Sequence, residues 1–330
     1  MNIGLIDVDS HNFPNLALMK ISAWHKSKGD TVEWWFPLMH YDIVYVSKVF
    51  GDEYSTMDTT TIQADKIVFG GTGFAVSVVD GKEVYEKSND DDLPHEIEHM
   101  FPDYSLYPQL TKNTAYGFLT RGCPNNCEHC MVRKKEGKVS HKVANLNEFW
   151  DGQKNIKLLD ANILACKQHL ELLQQLAESG AWVDFTQGLD ARFINENNLM
   201  LLQQTKIKMI HFAFDFMKNE ESIVSGLRMA KEYLQLDDRK AVVYMLTNYD
   251  TTIKDDLHRV KKIQECGYLP DVRIYRKNAL PKRHILRDLQ RWCNNRLLYR
   301  TSTFFDYVPR ADGKPIKELY ENELQNCEVI

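Results

Sequence analysis

Arg121-Gly122-Cys123-Pro124-Asn125-Asn126-Cys127-Glu128-His129-Cys130 holds three of the chain's seven cysteines, in a C-x-x-x-C-x-x-C spacing directly after an apolar segment, 115–119, that reads as a strand. Three thiolates on a short loop can each take one iron of a cubane cluster. With no fourth cysteine nearby, one iron is left open to another ligand. Gly122 and Pro124 shape a tight loop, and the amides of Asn125, Asn126 and Glu128 are placed to donate to sulfide, an interaction that raises a cluster's potential. Two blander readings stand beside this one: a zinc site completed by His129 or His141, or buried cysteines without metal. Zinc ligands more often come as one C-x-x-C pair followed at a distance by a second, and no second pair occurs. Cys166, Cys266, Cys293 and Cys327 are isolated and read as small core or surface residues. Three clustered cysteines in an odd total fit reduced thiolates better than a secreted disulfide framework.

Outward from the loop, the segments alternate between strand and helix signals. Candidate strands are 115–119, 156–159, 182–186, 209–214, 241–247 and 272–275, with helices such as 165–179 and 220–234 long enough for right-handed crossovers. Six βα repeats predict a partial (β/α)6 barrel, open on one side, over 113–280. Upstream, 3–8 reads as a strand, Pro14 opens a helix that stops at Gly29, and strands at 42–47 and 66–69 follow, the last running into Gly70-Gly71-Thr72-Gly73. The fold class is therefore α/β, with a small Rossmann-like domain over 1–87 preceding the barrel. Between them 88–112 turns acidic and proline-bearing, with Asp90-Asp91-Asp92, and reads as a linker. A C-terminal helix and tail, 281–330, would close the barrel.

Composition sets outer bounds. Of the 330 residues 43% are hydrophobic and 26% charged, ordinary for a globular chain, and no apolar run is long enough for a membrane span. The first residues carry no basic segment or cleavage pattern, so a cytoplasmic location is expected. The formal net charge of −5 argues against wholesale coating of nucleic acid, although a local basic patch is compatible with it.

The cysteine spacing, its place after the first barrel strand and the partial barrel together resemble the radical S-adenosylmethionine superfamily. The resemblance implies that Cys123, Cys127 and Cys130 hold three irons of a 4Fe-4S cluster while the amino and carboxylate groups of S-adenosylmethionine chelate the fourth. One electron, from an external donor such as flavodoxin or ferredoxin, then breaks the sulfonium bond to give methionine and a 5′-deoxyadenosyl radical. It places His129 beside the adenine. Many members carry Gly-Gly-Glu after the second strand, where this chain has Leu159-Asp160-Ala161-Asn162; Asp160 and Asn162 offer the same acceptor chemistry for an ammonium. Asp-x-Asn there is similar to cobalamin-associated and methylthiotransferase-like branches. Gln187, Asp190 and Arg192 follow the third strand, at the end where barrel active sites gather. A plain Asp190–Arg192 loop salt bridge is their alternative reading. Asp215 and Asn248, ending the fourth and fifth strands, are further cofactor-facing candidates or else helix caps.

Some superfamily members carry a cobalamin-binding domain ahead of the barrel. Asp9-Ser10-His11-Asn12-Phe13-Pro14 resembles its D-x-H-x-x-G signature, with Pro14 in place of glycine; the resemblance gives His11 to cobalt and Asp9 to orienting its imidazole. Ser47-Lys48-Val49 is similar to the S-x-L element, and Gly70-Gly71 to the paired glycines that admit a nucleotide tail. A degenerate scaffold that only caps the barrel is the competing reading. In the tail, Arg283, Arg287, Arg291, Arg296 and Arg300 interleave with Trp292, Tyr299, Phe304 and Phe305. That mix could bind a nucleotide or RNA substrate, or form an amphipathic helix with solvated arginines. Two function classes follow: a radical enzyme acting by hydrogen abstraction or methylation, and a non-catalytic iron-sulfur or zinc protein for electron transfer or binding.

Overall fold

The computed structural model describes all residues except 11, 91, 310–312, 326 and 329. The chain divides into two compact units, Met1–Leu158 and Leu159–Ile330.

In the first unit, β1 (Asn2–Asp7) is buried along its middle four residues, as a strand covered on both faces must be. It pairs in parallel with β2 (Thr31–Trp34) and β3 (Tyr41–Ser47), and β3 pairs with β4 (Ala64–Gly70), giving the order β2-β1-β3-β4. Alternation splits the apolar side chains. Ile3 and Leu5 pack with Leu18 and Ile21 of helix α1 (Leu16–Ser27). Ile6, Tyr41, Val44 and Val46 form the opposite layer. Each such side chain removed from water stabilises the fold by about 1.5–3 kcal/mol. Helix α1 starts at Asn15, whose Oδ1 accepts the Leu18 amide at 3.1 Å while its Nδ2 donates to Ser47 Oγ at 2.8 Å. The Rossmann-like sheet is as expected, with one strand more than the pattern predicts: β2 is only four residues long and mostly exposed, with Val32 packed on the core. A hairpin of β5 (Val76–Val79) and β6 (Lys82–Tyr85) turns on Asp80-Gly81, both with positive φ.

The remainder of this unit opens the barrel series. β7 (Thr114–Gly117) pairs in parallel with β10 (Asn155–Leu158), and between them β8 (Thr120–Arg121) and β9 (His141–Lys142) form a two-residue antiparallel ladder.

In the second unit β11 (Trp182–Leu189), β12 (Lys206–Ala213), β13 (Ala241–Thr247) and β14 (Leu269–Ile274) pair in parallel in chain order. Helices α2 (His169–Ser179), α3 (Glu196–Gln204), α4 (Glu220–Leu234) and α5 (Ile253–Glu265) connect or precede them. Local chemistry sets their ends: Gly180 takes a left-handed conformation after α2, and Asn195 and Thr252 build capping boxes for α3 and α5. Six parallel strands in βα succession match the expected repeats. Helix α2 starts later than the pattern suggests, because a 3-10 turn at Ile163–Ala165 occupies the intervening stretch.

The C-terminal helix, α6 (Ile285–Cys293), also starts later than expected and excludes Arg283; His284 caps it, its Nδ1 accepting the Leu286 amide at 3.2 Å. Trp292 and Phe304 are 2% and 0% exposed, so they are core and offer no stacking surface. Arg287 donates to the carbonyls of Lys277, Leu280 and Pro281, and Arg296 and Arg300 bind Asp238. These arginines tie the tail down rather than forming a free basic stripe.

Candidate cofactor site

The three cysteines lie on one loop of the first unit, none of them in a disulfide and all half-buried. Its base is the β8–β9 ladder, continued by the Val143 amide donating to the Leu119 carbonyl at 2.9 Å. Gly122 sits at φ +84, and a Cβ there would lie against the Val139 carbonyl oxygen, so only glycine lets the two legs of the loop close. Inside the loop, the Cys130 amide donates to the Cys127 carbonyl at 3.1 Å and the Cys123 amide to Gly137 at 3.2 Å. A short helix, Val132–Lys135, follows, and Arg133 reaches back to the Pro124 carbonyl at 2.8 Å. His129 is half-buried on the same turn. Among the described residues no three His, Cys, Asp or Glu side chains converge as the ligands of a single metal ion would. A cubane asks for a different arrangement, one thiolate to each of three irons. Three cysteines on a closed loop, none in a disulfide and with Cys166 the next along, supply the donor type and number that demand needs.

In the second unit the sequence candidates partly come together. Asp190 is buried and grips Arg192 in a bidentate ion pair, Oδ1 to Nε at 2.7 Å and Oδ2 to Nη2 at 2.5 Å. Asn162 Nδ2 donates to the same Oδ2 at 3.4 Å. The salt bridge is thus present, and Asn162 extends it into a three-residue chain. Asp160 is buried beside Asn162 in sequence. Gln187 is exposed on an irregular stretch of β11, where the register with β12 shifts between Phe185 and Leu189. A bulge of this kind re-aims side chains. Asp215 Oδ1 accepts the Leu246 amide at 2.9 Å, and Asn248, at φ +63, donates from Nδ2 to the Tyr275 carbonyl at 2.8 Å. Both therefore brace strand ends.

Sequence reading missed the residues that hold these ends. Arg259 of α5 is fully buried, and its guanidinium donates to the carbonyls of Phe214, Asp215 and Leu246 at 2.7–2.9 Å while pairing with Asp256 at 2.5 Å. Burial pushes the Asp256 carboxyl up despite that guanidinium. A charged residue on a helix with the usual amphipathic spacing gives no sign of being buried. A second missed group lies on the strands: His211 of β12 and Tyr244 of β13 stack with ring centroids 4.6 Å apart and 8° between planes, and the Arg273 guanidinium of β14 lies 5.1 Å from the Tyr244 ring. All three are half-buried or exposed, whereas their strand neighbours Phe212, Val243, Met245 and Val272 are buried. By alternation they share the less covered side of the strands.

The N-terminal candidates have other partners. Asp9 is buried, and its carboxylate accepts the amides of Val49 and Phe50, each at 2.8 Å. The Ser47 hydroxyl takes the Asn15 amide group. A Cβ on Gly71 would strike the Lys48 carbonyl oxygen, while one on Gly70 would meet nothing within 4 Å. Asp9 therefore fastens the loop after β3, and His11 lies outside the described residues.

No family model matches the sequence, and no curated protein matches it. Solved structures do. TsrM, a radical S-adenosylmethionine methyltransferase from Kitasatospora setae solved with cobalamin and a [4Fe-4S] cluster bound, superposes with a TM-score of 0.61 at 12% identity, over 83% of this chain and 72% of that one. The fold is shared along most of the chain, and the expected barrel with a Rossmann-like domain ahead of it is borne out.

Proposed function

We propose that this chain is a radical S-adenosylmethionine enzyme, with Cys123, Cys127 and Cys130 as ligands of a 4Fe-4S cluster. The observation that carries the reading is the ladder-closed loop with three half-exposed cysteines outside any disulfide, in a chain with the fold of a radical S-adenosylmethionine methyltransferase. When bound, the cluster supplies the electron that splits the sulfonium of S-adenosylmethionine. The chain's own residues bind and orient. Asp160 and Asn162 accept the ammonium of the methionine moiety, and His129 stands beside the adenine. Asp190 keeps Arg192 in place and is joined to Asn162 through its second oxygen, and we add Gln187, Asp215 and Asn248 as further polar groups of this set. The functional division we assign is a Rossmann-like domain over 1–87, an acidic linker over 88–112, a partial barrel over 113–280 and a closing tail over 281–330.

The His211–Tyr244–Arg273 stack suits a planar or anionic substrate, since rings stack on a guanidinium and a guanidinium takes carboxylate or phosphate. Cobalamin fits less well: Asp9 and Ser47 are engaged with the chain itself, and only Gly70 keeps open space. We therefore derive no step through a corrinoid. The reading further assigns a soluble low-potential electron donor as partner and a cytoplasmic location; no helix among the described residues is long and apolar enough to cross a membrane.

Anaerobic reconstitution with iron and sulfide, followed by dithionite and S-adenosylmethionine, tests the proposal. Release of 5′-deoxyadenosine by the wild type and its loss in Cys127→Ala are expected. An intact cluster without that product would instead favour the non-catalytic electron-transfer reading, and zinc in place of iron and sulfide would end the proposal.

A further inference from the structure

The base of the cysteine loop is fastened by a row of alternating charges. Glu136 Oε2 accepts the Gly122 amide at 3.1 Å, and its Oε1 accepts from Arg121 Nη1 at 3.0 Å. Arg121 also reaches Glu98 at 3.3 Å and lies over the Phe118 ring at 3.9 Å, and Glu98 pairs with Lys20 of α1 at 2.9 Å. The next residue along, Lys135, donates to Thr72 in the glycine turn after β4 and pairs with Asp90 at 3.2 Å. The Glu136 side chain is only 12% exposed, so salt and water screen its charge weakly.

We infer that Glu136 is a positioning residue for Cys123, and that its carboxylate lowers the electron affinity of the metal centre held by the loop. The inference rests on the three cysteines being cluster ligands. Gly122 can carry no side chain, so the entry to Cys123 is anchored through the Gly122 amide and the group that accepts it. Two effects act in the same direction. A negative charge hydrogen-bonded to the residue before a ligating cysteine opposes the arrival of an electron, and an amide given to a carboxylate is withheld from sulfur, where it would raise the potential.

Glu136→Gln separates charge from shape, because the amide oxygen can still accept from Gly122. Wild type and variant are reconstituted anaerobically and titrated redox-potentiometrically with detection by electron paramagnetic resonance. The expected result is a midpoint shifted to more positive potential in E136Q, together with iron loss to a ferrous chelator about tenfold faster in E136A. A purely structural role predicts an unmoved midpoint in E136Q; an unmoved or more negative value overturns the inference. If E136Q does not fold, E98Q removes the next carboxylate in the row, and the same sign of shift, smaller in size, is required of it. A wild type that shows no cubane signal overturns both this inference and the reading beneath it, whereas a normal wild-type cubane with unmoved midpoints sinks the inference alone.

Discussion

Asp190 spends both carboxylate oxygens on Arg192 and still takes Asn162, so a change at Arg192 is felt by the residues around it. The pair is partly exposed on the arginine side, which limits its contribution to stability to about 1 kcal/mol or less. Arg192→Ala should therefore leave the melting temperature nearly unchanged while weakening S-adenosylmethionine binding to the reconstituted protein about tenfold. Calorimetric titration checks it, and unaltered affinity would remove Arg192 from the site. Asp30 gives a pH-dependent counterpart. The hydrogen bond from His25 at 2.7 Å holds its carboxyl below the usual value of 3.8. A depressed carboxyl stabilises the fold above its unfolded pKa and loses that contribution as pH falls through the folded one. The melting-temperature gap between wild type and Asp30→Asn should thus be open at pH 6 and narrow below about pH 4. At this scale the sequence was legible where chemistry is carried by side-chain type, as in the three thiols. It was silent on Arg259 and Glu136, whose roles come from what surrounds them.

Elements meet closely at one point that the sequence does not advertise. Gly226, in the middle of α4, lies so near the turn after β11 that a Cβ would collide with the Ala191 carbonyl oxygen. The glycine lets α4 seat the turn that carries Asp190 and Arg192. Gly226→Ala should destabilise the protein by about 1–3 kcal/mol through overpacking, despite alanine's better helix propensity, and should lower affinity for S-adenosylmethionine as the turn shifts. Denaturant titration would show the first effect, and a stabilised variant would refute the packing argument. Arg259→Met takes the cation away from buried Asp256 and frees three carbonyls at the ends of β12 and β13; the expected loss is about 3–5 kcal/mol. The long, periodic elements, α4 and the barrel strands, could be read from spacing. The β8–β9 ladder could not, because two residues are too few for any period to register.

Over most of the chain the fold is shared with a protein only 12% identical. Alternation and helix spacing tolerate so low an identity because many apolar residues satisfy them. Single side chains are less legible: Asp9 accepts the Val49 and Phe50 amides and Ser47 takes the Asn15 amide group, contacts that no spacing announces. If the cluster provides the seat for S-adenosylmethionine, a large excess of the nucleoside should stabilise reconstituted protein by about 2–3 kcal/mol. The Cys127→Ala protein should show a much smaller thermal shift, and equal shifts in both would place the binding elsewhere. The ladder of Thr120–Arg121 with His141–Lys142 has a consequence for variation. Because the cysteine segment leaves and re-enters the chain at one pinch, it behaves as a cassette. Substitutions within the excursion leave the strands on either side in register as long as the Gly122–Val139 contact that closes it is kept.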